Sequence, residues 1–451
     1  MDDKKLKTYK VVTFGCQMNA RDSEKLAGVL EQKGYTEIMD ENLADIVIFN
    51  TCTVRENANQ RLYGHIGQLK KSYLANKNKI IGICGCMMQE KDEVEKIKEK
   101  YPQVKLIFGT HNIGEFSKLL DEVIDTGKKV IRVYDKADEI EKRMPVKRVY
   151  DFKCGINIMF GCNNFCTYCI VPYVRGRERS RDVDSIIEEI KSVVKENVIE
   201  VMLLGQNVNS YKGKASDKYK FRNNENVTFP ELLNEVAKID GLKRIRFMTS
   251  HPKDLSDELI EVIKNNENIC RHIHLPVQSG SNNILKSMNR CYTRESYIDI
   301  VKKIRDNISD ISITTDIIVG FPGETEEDFS ETLSLINEIS YDAVFTFEYS
   351  KRTGTKASLM ENQVEEGVVK ERFKRLLKAV EDNSGKNVEK YVGRVMNALV
   401  EGQDKISGKL TGRLSNNYLV HFDGENDLIG KIINLKLTRN CKFYFEGEIA
   451  E

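Results

Sequence analysis

Cys162, Cys166 and Cys169 lie in GCNNFCTYC with the spacing C-x3-C-x2-C. Thiolates this close hold soft metals. Three of them bind three irons of a [4Fe-4S] cube and leave the fourth iron open to a small chelating molecule. A purely electron-transferring cluster normally takes four cysteines. The competing reading is structural zinc, which fits poorly because a closed tetrahedral site needs a fourth ligand and no histidine is nearby. A second set is dispersed. Cys16, Cys52 and Cys86 each stand about two residues beyond an apolar strand candidate, the runs ending at Phe14, Asn50 and Cys84. Parallel strands end on one edge of a sheet, so the three thiols converge there and read as a second three-thiolate cluster with an open iron. Taken singly, each is a small buried filler; the shared offset argues otherwise. Cys84, Cys154, Cys270, Cys291 and Cys441 show no such pattern and read as fillers.

The elements that position these cysteines follow from apolar periodicity. Over residues 8–126, the runs Val11 to Phe14, Ile46 to Asn50, Ile80 to Cys84 and Val104 to Phe108 alternate with helical patterns at Asp22 to Gly34 and Lys91 to Lys100. That is an α/β domain with a doubly wound parallel sheet. A charged stretch, Lys128 to Lys153, reads as a connector. A second α/β region spans 148–378. Its strand candidates are Gly155 to Phe160, Ile199 to Gly205, Lys243 to Thr249, His272 to Val277, Ser312 to Gly320 and Asp342 to Tyr349. Helical patterns separate them at Asp184 to Asn197, Pro230 to Lys238, Leu255 to Asn265 and Glu326 to Ile339. Six such units suit a partial (β/α)6 barrel, and an open parallel sheet has equal weight on spacing alone. A basic helix, Val368 to Asn383, leads into a small all-β barrel module at 381–449 with short runs at Val395 to Val400, Tyr418 to Phe422, Lys431 to Leu437 and Cys441 to Phe445.

Of 451 residues, 40% are apolar and 31% charged, with 7 prolines, which excludes collagen-like, disordered and disulfide-scaffold chains. No run reaches the roughly 18 apolar residues of a membrane span, and the amino terminus lacks a signal-peptide core, so the expectation is a cytoplasmic protein with no membrane partner. In that compartment eleven cysteines point to metal or redox chemistry rather than disulfides. Lys plus Arg is 70 against 69 for Asp plus Glu, so any nucleic-acid surface must be local.

GCNNFCTYCIVPYVRG resembles the cluster motif of the radical S-adenosylmethionine (SAM) methylthiotransferases. The whole chain is similar to their layout of amino-terminal domain, radical-SAM core and TRAM module. LLGQNVNSY, MTSHP, HIHLPVQSGS and TTDIIVGFPGET resemble the tRNA-modifying MiaB-type branch. The resemblance implies two [4Fe-4S] clusters. SAM would be bound at the open iron of the Cys162/Cys166/Cys169 cluster and cleaved to a 5′-deoxyadenosyl radical. The cluster at Cys16, Cys52 and Cys86 would take part in donating sulfur, and a second SAM would supply the methyl group. The implied product is a methylthio group on carbon 2 of N6-isopentenyladenosine beside the anticodon of tRNA. The alternatives are the same chemistry on threonylcarbamoyl-adenosine in tRNA or on an aspartate of a ribosomal protein. An external electron donor and a sulfur source are implied partners.

Tyr168 resembles the family position whose backbone touches adenine, against simple packing. Gly205, Gln206, Asn207, Gln278, Ser279 and Gly320 (with Gly323) follow core strands on the edge that carries the cluster, which makes them SAM or substrate contacts; turn geometry is the competing reading for the glycines. For the anticodon stem-loop, Arg175, Arg177, Arg179 and Arg181, or Lys370, Arg372, Lys374, Arg375 and Lys378, are the candidate phosphate-tracking sets. The β module adds Lys405, Lys409, Arg413, Lys436, Arg439 and Lys442.

Overall fold

The computed structural model describes residues 7–53, 56–136, 144–383 and 387–450. In chain order the first elements are β1 Thr8–Thr13, α1 Gln17–Gln32, β2 Thr36–Glu37, β3 Ile46–Thr51, α2 Glu56–Ala75, β4 Ile80–Gly85, α3 Lys91–Lys100, β5 Val104–Phe108, α4 Phe116–Thr126 and β6 Val130–Arg132. The core follows with β7 Lys153–Asn157, β8 Met159–Phe160, α5 Val171–Val174, β9 Arg179–Ser180, α6 Val183–Lys195, β10 Glu200–Leu204, β11 Lys212–Gly213, β12 Val227–Thr228, α7 Phe229–Ala237, β13 Arg244–Phe247 and α8 Asp257–Asn265. It continues with β14 His272–His274, α9 Asn282–Ser287, α10 Arg294–Asn307, β15 Ser312–Val319, α11 Glu326–Ile339, β16 Ala343–Glu348 and α12 Glu366–Asn383. The last strands are β17 Val395–Gln403, β18 Leu410–Leu414, β19 Leu419–Phe422, β20 Ile432–Asn440 and β21 Tyr444–Ile449. The middle of the expected connector, residues 137–143, lies outside the described residues.

The chain divides into two units, one of residues up to 150 with 159–163 and 170–179, the other holding the remainder. In the first, six parallel strands run β2-β1-β3-β4-β5-β6. Every residue of β3 and β4 is buried, as in a sheet covered on both faces. Alternate residues explain both faces. Ile46 and Ile48 pack with Leu26, Leu30, Phe116 and Leu119 of α1 and α4. Val47 and Phe49 pack with Leu62, Ile66, Val94 and Ile97 of α2 and α3. The expected double winding is therefore present. Helix α1 begins five residues before the apolar pattern does, because Asn19, Arg21, Asp22 and Ser23 in its first turns are polar yet buried.

In the second unit, β7-β10-β13 and β14-β15-β16 are parallel sheets. A parallel bridge between Ile245 and Ile269 joins them, with Cys270 N–H donating to Ile245 O at 2.9 Å. Spatial order thus follows chain order, as in a (β/α) barrel and unlike a doubly wound sheet, and six strands make it a partial one. β17-β18-β19-β21-β20 close a five-stranded barrel around Leu410, Leu414, Val420, Phe422, Leu435 and Phe445. Strand β18 escapes an apolar-run search because Gly412 takes its middle inward position, where a Cβ would stand 3.0 Å from the Ala398 Cβ.

This small barrel seats against the amino-terminal ends of the core strands. Arg244 Nη1 donates to Arg413 O (2.8 Å) and Arg246 Nη2 to Leu414 O (2.7 Å). Lys153 pairs with Glu401, Arg394 with Asp310, and Tyr418 Oη donates to Asp342 at 2.7 Å. Glu200 Oε2 lies 3.0 Å from Nε of both Arg244 and Arg246, and all three side chains are buried. Among the described residues no helix is long and apolar enough to cross a membrane.

Candidate active site

Strand β1 has β2 on one side and β3 on the other, so the chain steps to one side of β1 and then crosses it to continue on the other. Ligands of open α/β sheets sit at such a switch point, beyond the carboxyl ends of the strands. Cys16 is the residue before α1, Cys52 follows β3 directly, and Cys86 follows β4 directly. The offset from the strand is thus three, one and one residues rather than a uniform two. Gly15 and Gly85 make up the difference. A Cβ on Gly15 would stand 2.6 Å from the Cys52 Cβ, and Gly85, at φ +97°, lies so close to β3 that its Cβ would meet Thr51 O at 2.3 Å.

One guanidinium organises this edge. Arg175 is buried; its Nε donates to the Cys86 sulfur (3.3 Å) and its Nη2 to Asn19 Oδ1 (2.9 Å) and Asp22 Oδ2 (3.2 Å). Asn19 in turn donates to Phe14 O and Thr51 O, tying α1 to the ends of β1 and β3. Burial pushes the Cys86 thiol up to about 11, Arg175 pulls against that, and Cys52 and Cys16 add to the rise. Cys86 thus lies near Cys52 and Cys16 with one fixed cation beside it, and among the described residues no three His, Cys, Asp or Glu side chains stand close enough to hold a single metal ion. Cys84, one face away inside β4, is fully buried among Ile48, Leu106 and Phe108.

The second set lies on the loop after β8. Cys162 N–H donates to Gly176 O (3.2 Å), and Gly161, at φ +74°, lets the chain fold back so closely that a Cβ would meet Arg177 O at 2.2 Å. Cys166 and Cys169 share one turn, closed by Cys169 N–H to Cys166 O at 2.9 Å. Arg290, also buried, donates to the Cys166 sulfur (3.4 Å), Pro276 O (2.6 Å) and Tyr292 Oη (2.7 Å). Thr167 fastens the same turn to Ser287 O and Met288 O.

Beyond the carboxyl ends of β7, β10 and β13, several buried polar atoms have no hydrogen-bond partner: both amide atoms of Asn157, Asn207 Oδ1, Asn209 Nδ2 and His251 Nε2. His251 Nδ1 accepts from Lys253 N–H, so the neutral ring carries its proton on Nε2. Burial first, then Arg290 and Lys253, lower its pKa to about 2. Donors and acceptors left open on three consecutive strand ends fit a small, polar, zwitterionic molecule such as SAM, because unpaired buried polar atoms are costly unless a ligand satisfies them.

The other expected contacts separate into two groups. Gly205, Gln206 and Asn207 stand at the end of β10, with Asn207 Nδ2 donating to Asp254 at 2.6 Å. Gln278, at φ +75°, pairs its backbone with Asp316 and Ile318 of β15. The Ser279 hydroxyl is instead engaged with Thr332 of α11 at 3.3 Å. Gly320, at φ +76°, gives its N–H to Glu324 and faces Val369 of α12, which a Cβ would meet at 2.5 Å. The Tyr168 ring packs against Ile284, Met288 and Phe321.

Arg175 and Arg181 do not track phosphates, since the first is buried at the thiols and the second binds Asn157 O and Glu189. In α12, Arg372 is buried against Glu324, while Lys370, Arg375 and Lys378 pair with Glu366, Glu326 and Asp382. Asn157, Asn209, His251, Arg175 and Arg290 are the residues that sequence reasoning missed or misread. A polar residue at the end of an apolar strand was the available signal for Asn157, whereas Asn209 and His251 lie on the loops beyond β10 and β13.

Residues 156–336 match the Radical SAM superfamily, residues 8–109 the Uncharacterized protein family UPF0004, and residues 389–450 the TRAM domain. The chain is 54% identical to the tRNA-2-methylthio-N(6)-dimethylallyladenosine synthase of Lachnoclostridium phytofermentans, covering 98% of this chain and 96% of that protein. It is 53% identical to the protein of the same name from Clostridium tetani, at 98% and 96% coverage. Among solved structures, the radical SAM methyltransferase TsrM from Kitasatospora setae, with cobalamin and a [4Fe-4S] cluster bound, shares the fold at a TM-score of 0.54 and 14% identity, over 79% of this chain and 77% of that one.

Proposed function

Because the chain belongs to the tRNA-2-methylthio-N(6)-dimethylallyladenosine synthase family, within the radical SAM superfamily, we infer that it adds a methylthio group to carbon 2 of N6-isopentenyladenosine in tRNA. The observation that carries the reading is the duplication of the thiol sites. One three-cysteine set lies at the switch point of the amino-terminal sheet, the other on the core's motif loop, and each has a buried arginine on one sulfur. We assign one [4Fe-4S] cluster to Cys16, Cys52 and Cys86 and a second to Cys162, Cys166 and Cys169. When bound, the clusters and SAM supply one-electron chemistry, sulfur and a methyl group. The chain's own residues bind and orient. Asn157, Asn207, Asn209 and His251 offer open polar atoms at the strand ends, and His251 stays neutral with a proton to donate from Nε2. Arg290 ties the Cys166 turn to Pro276 O on the loop after β14.

For the RNA, the β module presents exposed Phe443 and a stacked His421–Tyr444 pair, ring centroids 4.4 Å apart, with Lys405 and Lys436 exposed on the same module. Unstacked loop bases bind such rings while cations track phosphates. The deciding experiment is nucleoside analysis of tRNA from cells lacking the protein. The 2-methylthio derivative of isopentenyladenosine should vanish and return on complementation. Its persistence, with loss of a methylthiolated threonylcarbamoyl-adenosine or ribosomal aspartate instead, would move the chain to one of those substrates. Reduced, reconstituted protein should also cleave SAM to 5′-deoxyadenosine.

A further inference from the structure

Arg175 lies in the motif that carries the core cysteines, yet its side chain serves the other set. A planar guanidinium makes three bonds at once here: Nε to the Cys86 sulfur, and Nη2 to both Asn19 Oδ1 and Asp22 Oδ2. Lysine, a single point charge, cannot reproduce that fork. Both members of the Asp22–Arg175 pair are buried, with side-chain exposures of 3% and 7%. Buried ion pairs add little stability over apolar packing, so this one is better explained by what its free donor touches. The donor touches a thiol. Hydrogen bonds to cluster sulfurs and nearby net charge are the main protein controls on an iron–sulfur potential.

We propose that Arg175 is a positioning residue for the amino-terminal cluster, held by Asp22 and Asn19 so that its donor and its charge stabilise the reduced, more negative state. The proposal rests on the assignment of a cluster to Cys16, Cys52 and Cys86. Arg290 stands in the same relation to Cys166, with Nη1 3.4 Å from that sulfur, which makes the arrangement a repeated one rather than an accident of packing. The positive charge favours reduction, and Asp22, 3.2 Å from the guanidinium, opposes it. The two residues therefore carry opposite signs of effect, which a purely structural role does not.

The test uses the full chain with Cys162, Cys166 and Cys169 replaced by alanine, reconstituted without oxygen so that only the amino-terminal cluster remains, and followed by redox titration with absorption and electron paramagnetic resonance. Arg175→Gln should shift the oxidised-to-reduced ratio at the parent midpoint about tenfold toward oxidised, about 59 mV for a one-electron couple. Asp22→Asn should shift it the opposite way, and Arg175→Lys should fall between parent and Gln. Shifts of equal sign in Arg175→Gln and Asp22→Asn, or no shift in either, overturn the proposal. Should Arg175→Gln fail to hold iron, the direction of the Asp22→Asn shift decides. A parent triple variant that binds no iron at all would refute the cluster assignment itself, which is a separate outcome.

Discussion

Two cysteines in ICGC compete for one role, and the structure separates them. Cys84 is fully buried inside β4, packed among apolar side chains, and burial pushes its thiol well above the ordinary value. Cys86, after the turn at Gly85, sits against Arg175 and near Cys16 and Cys52. Replacing Cys84 with alanine deletes one buried sulfur. The transfer loss is about 0.8 kcal/mol for a methylene-sized group, and a cavity of roughly 20 Å³ adds about 0.5 kcal/mol. The sum, about 1–1.5 kcal/mol, lowers the apparent Tm by about 2–5 °C and leaves iron content unchanged. Replacing Cys86 should cut iron from about eight to about four per chain, since one four-iron cube is lost, and abolish methylthiolation while reductive SAM cleavage persists. Iron chelation assays on anaerobically reconstituted protein, with thermal melts alongside, read both variants. Loss of iron in Cys84→Ala with retention in Cys86→Ala would refute the ligand assignment.

His251, with a pKa lowered to about 2, stays neutral and takes up no second proton in the folded chain, whereas the unfolded chain takes one up below pH 6.5. Its contribution is therefore complete above that pH and lost as pH falls, costing about 2 kcal/mol at pH 5. Melts at pH 7 and pH 5 should show a smaller acid loss in His251→Gln, and equal losses would refute the assignment. Removing residues 384 onward strips Arg244, Arg246 and Asp342 of bonds to Arg413, Leu414 and Tyr418. At about 1.5–3 kcal/mol for each charged bond the core should lose solubility or melt far earlier, and a truncation as stable as the full chain would contradict this. Tyr444→Ala and Phe443→Ala should instead melt normally but bind the anticodon stem-loop about 5- to 150-fold more weakly, at about 1–3 kcal/mol per stacked base; unchanged binding in filter or anisotropy assays would remove the module from the RNA surface.

What the sequence disclosed followed local rules. C-x3-C-x2-C needs no fold to be read, and the placing of Cys16, Cys52 and Cys86 just after β1, β3 and β4 follows from the edge that parallel strands share. The misreadings came from long-range burial. Arg175 belongs to a run of arginines that looks solvated, and the aspartate that buries it lies 153 residues earlier. The start of α1 was hidden for the same reason, because its first turns bury polar residues that serve the site instead of apolar ones that would reveal a helix. Strand β18 was hidden by one inward glycine. The partial barrel was distinguished from an open sheet only by the Ile245–Ile269 bridge, a pairing between strands that no periodicity encodes.

The seating of the small barrel on the amino-terminal ends of the core strands bears on how the chain is made. Arg244 leaves the ribosome 169 residues before its acceptor Arg413. At about 5–20 residues per second that is roughly 8–34 s during which the charged floor of the core has no cover. A nascent chain in that interval exposes guanidinium groups that the finished protein buries. Chaperone occupancy and degradation of stalled products should therefore peak there, and a ribosome that stops short of Leu414 releases a core that already contains both three-cysteine sets but lacks the cover its floor requires.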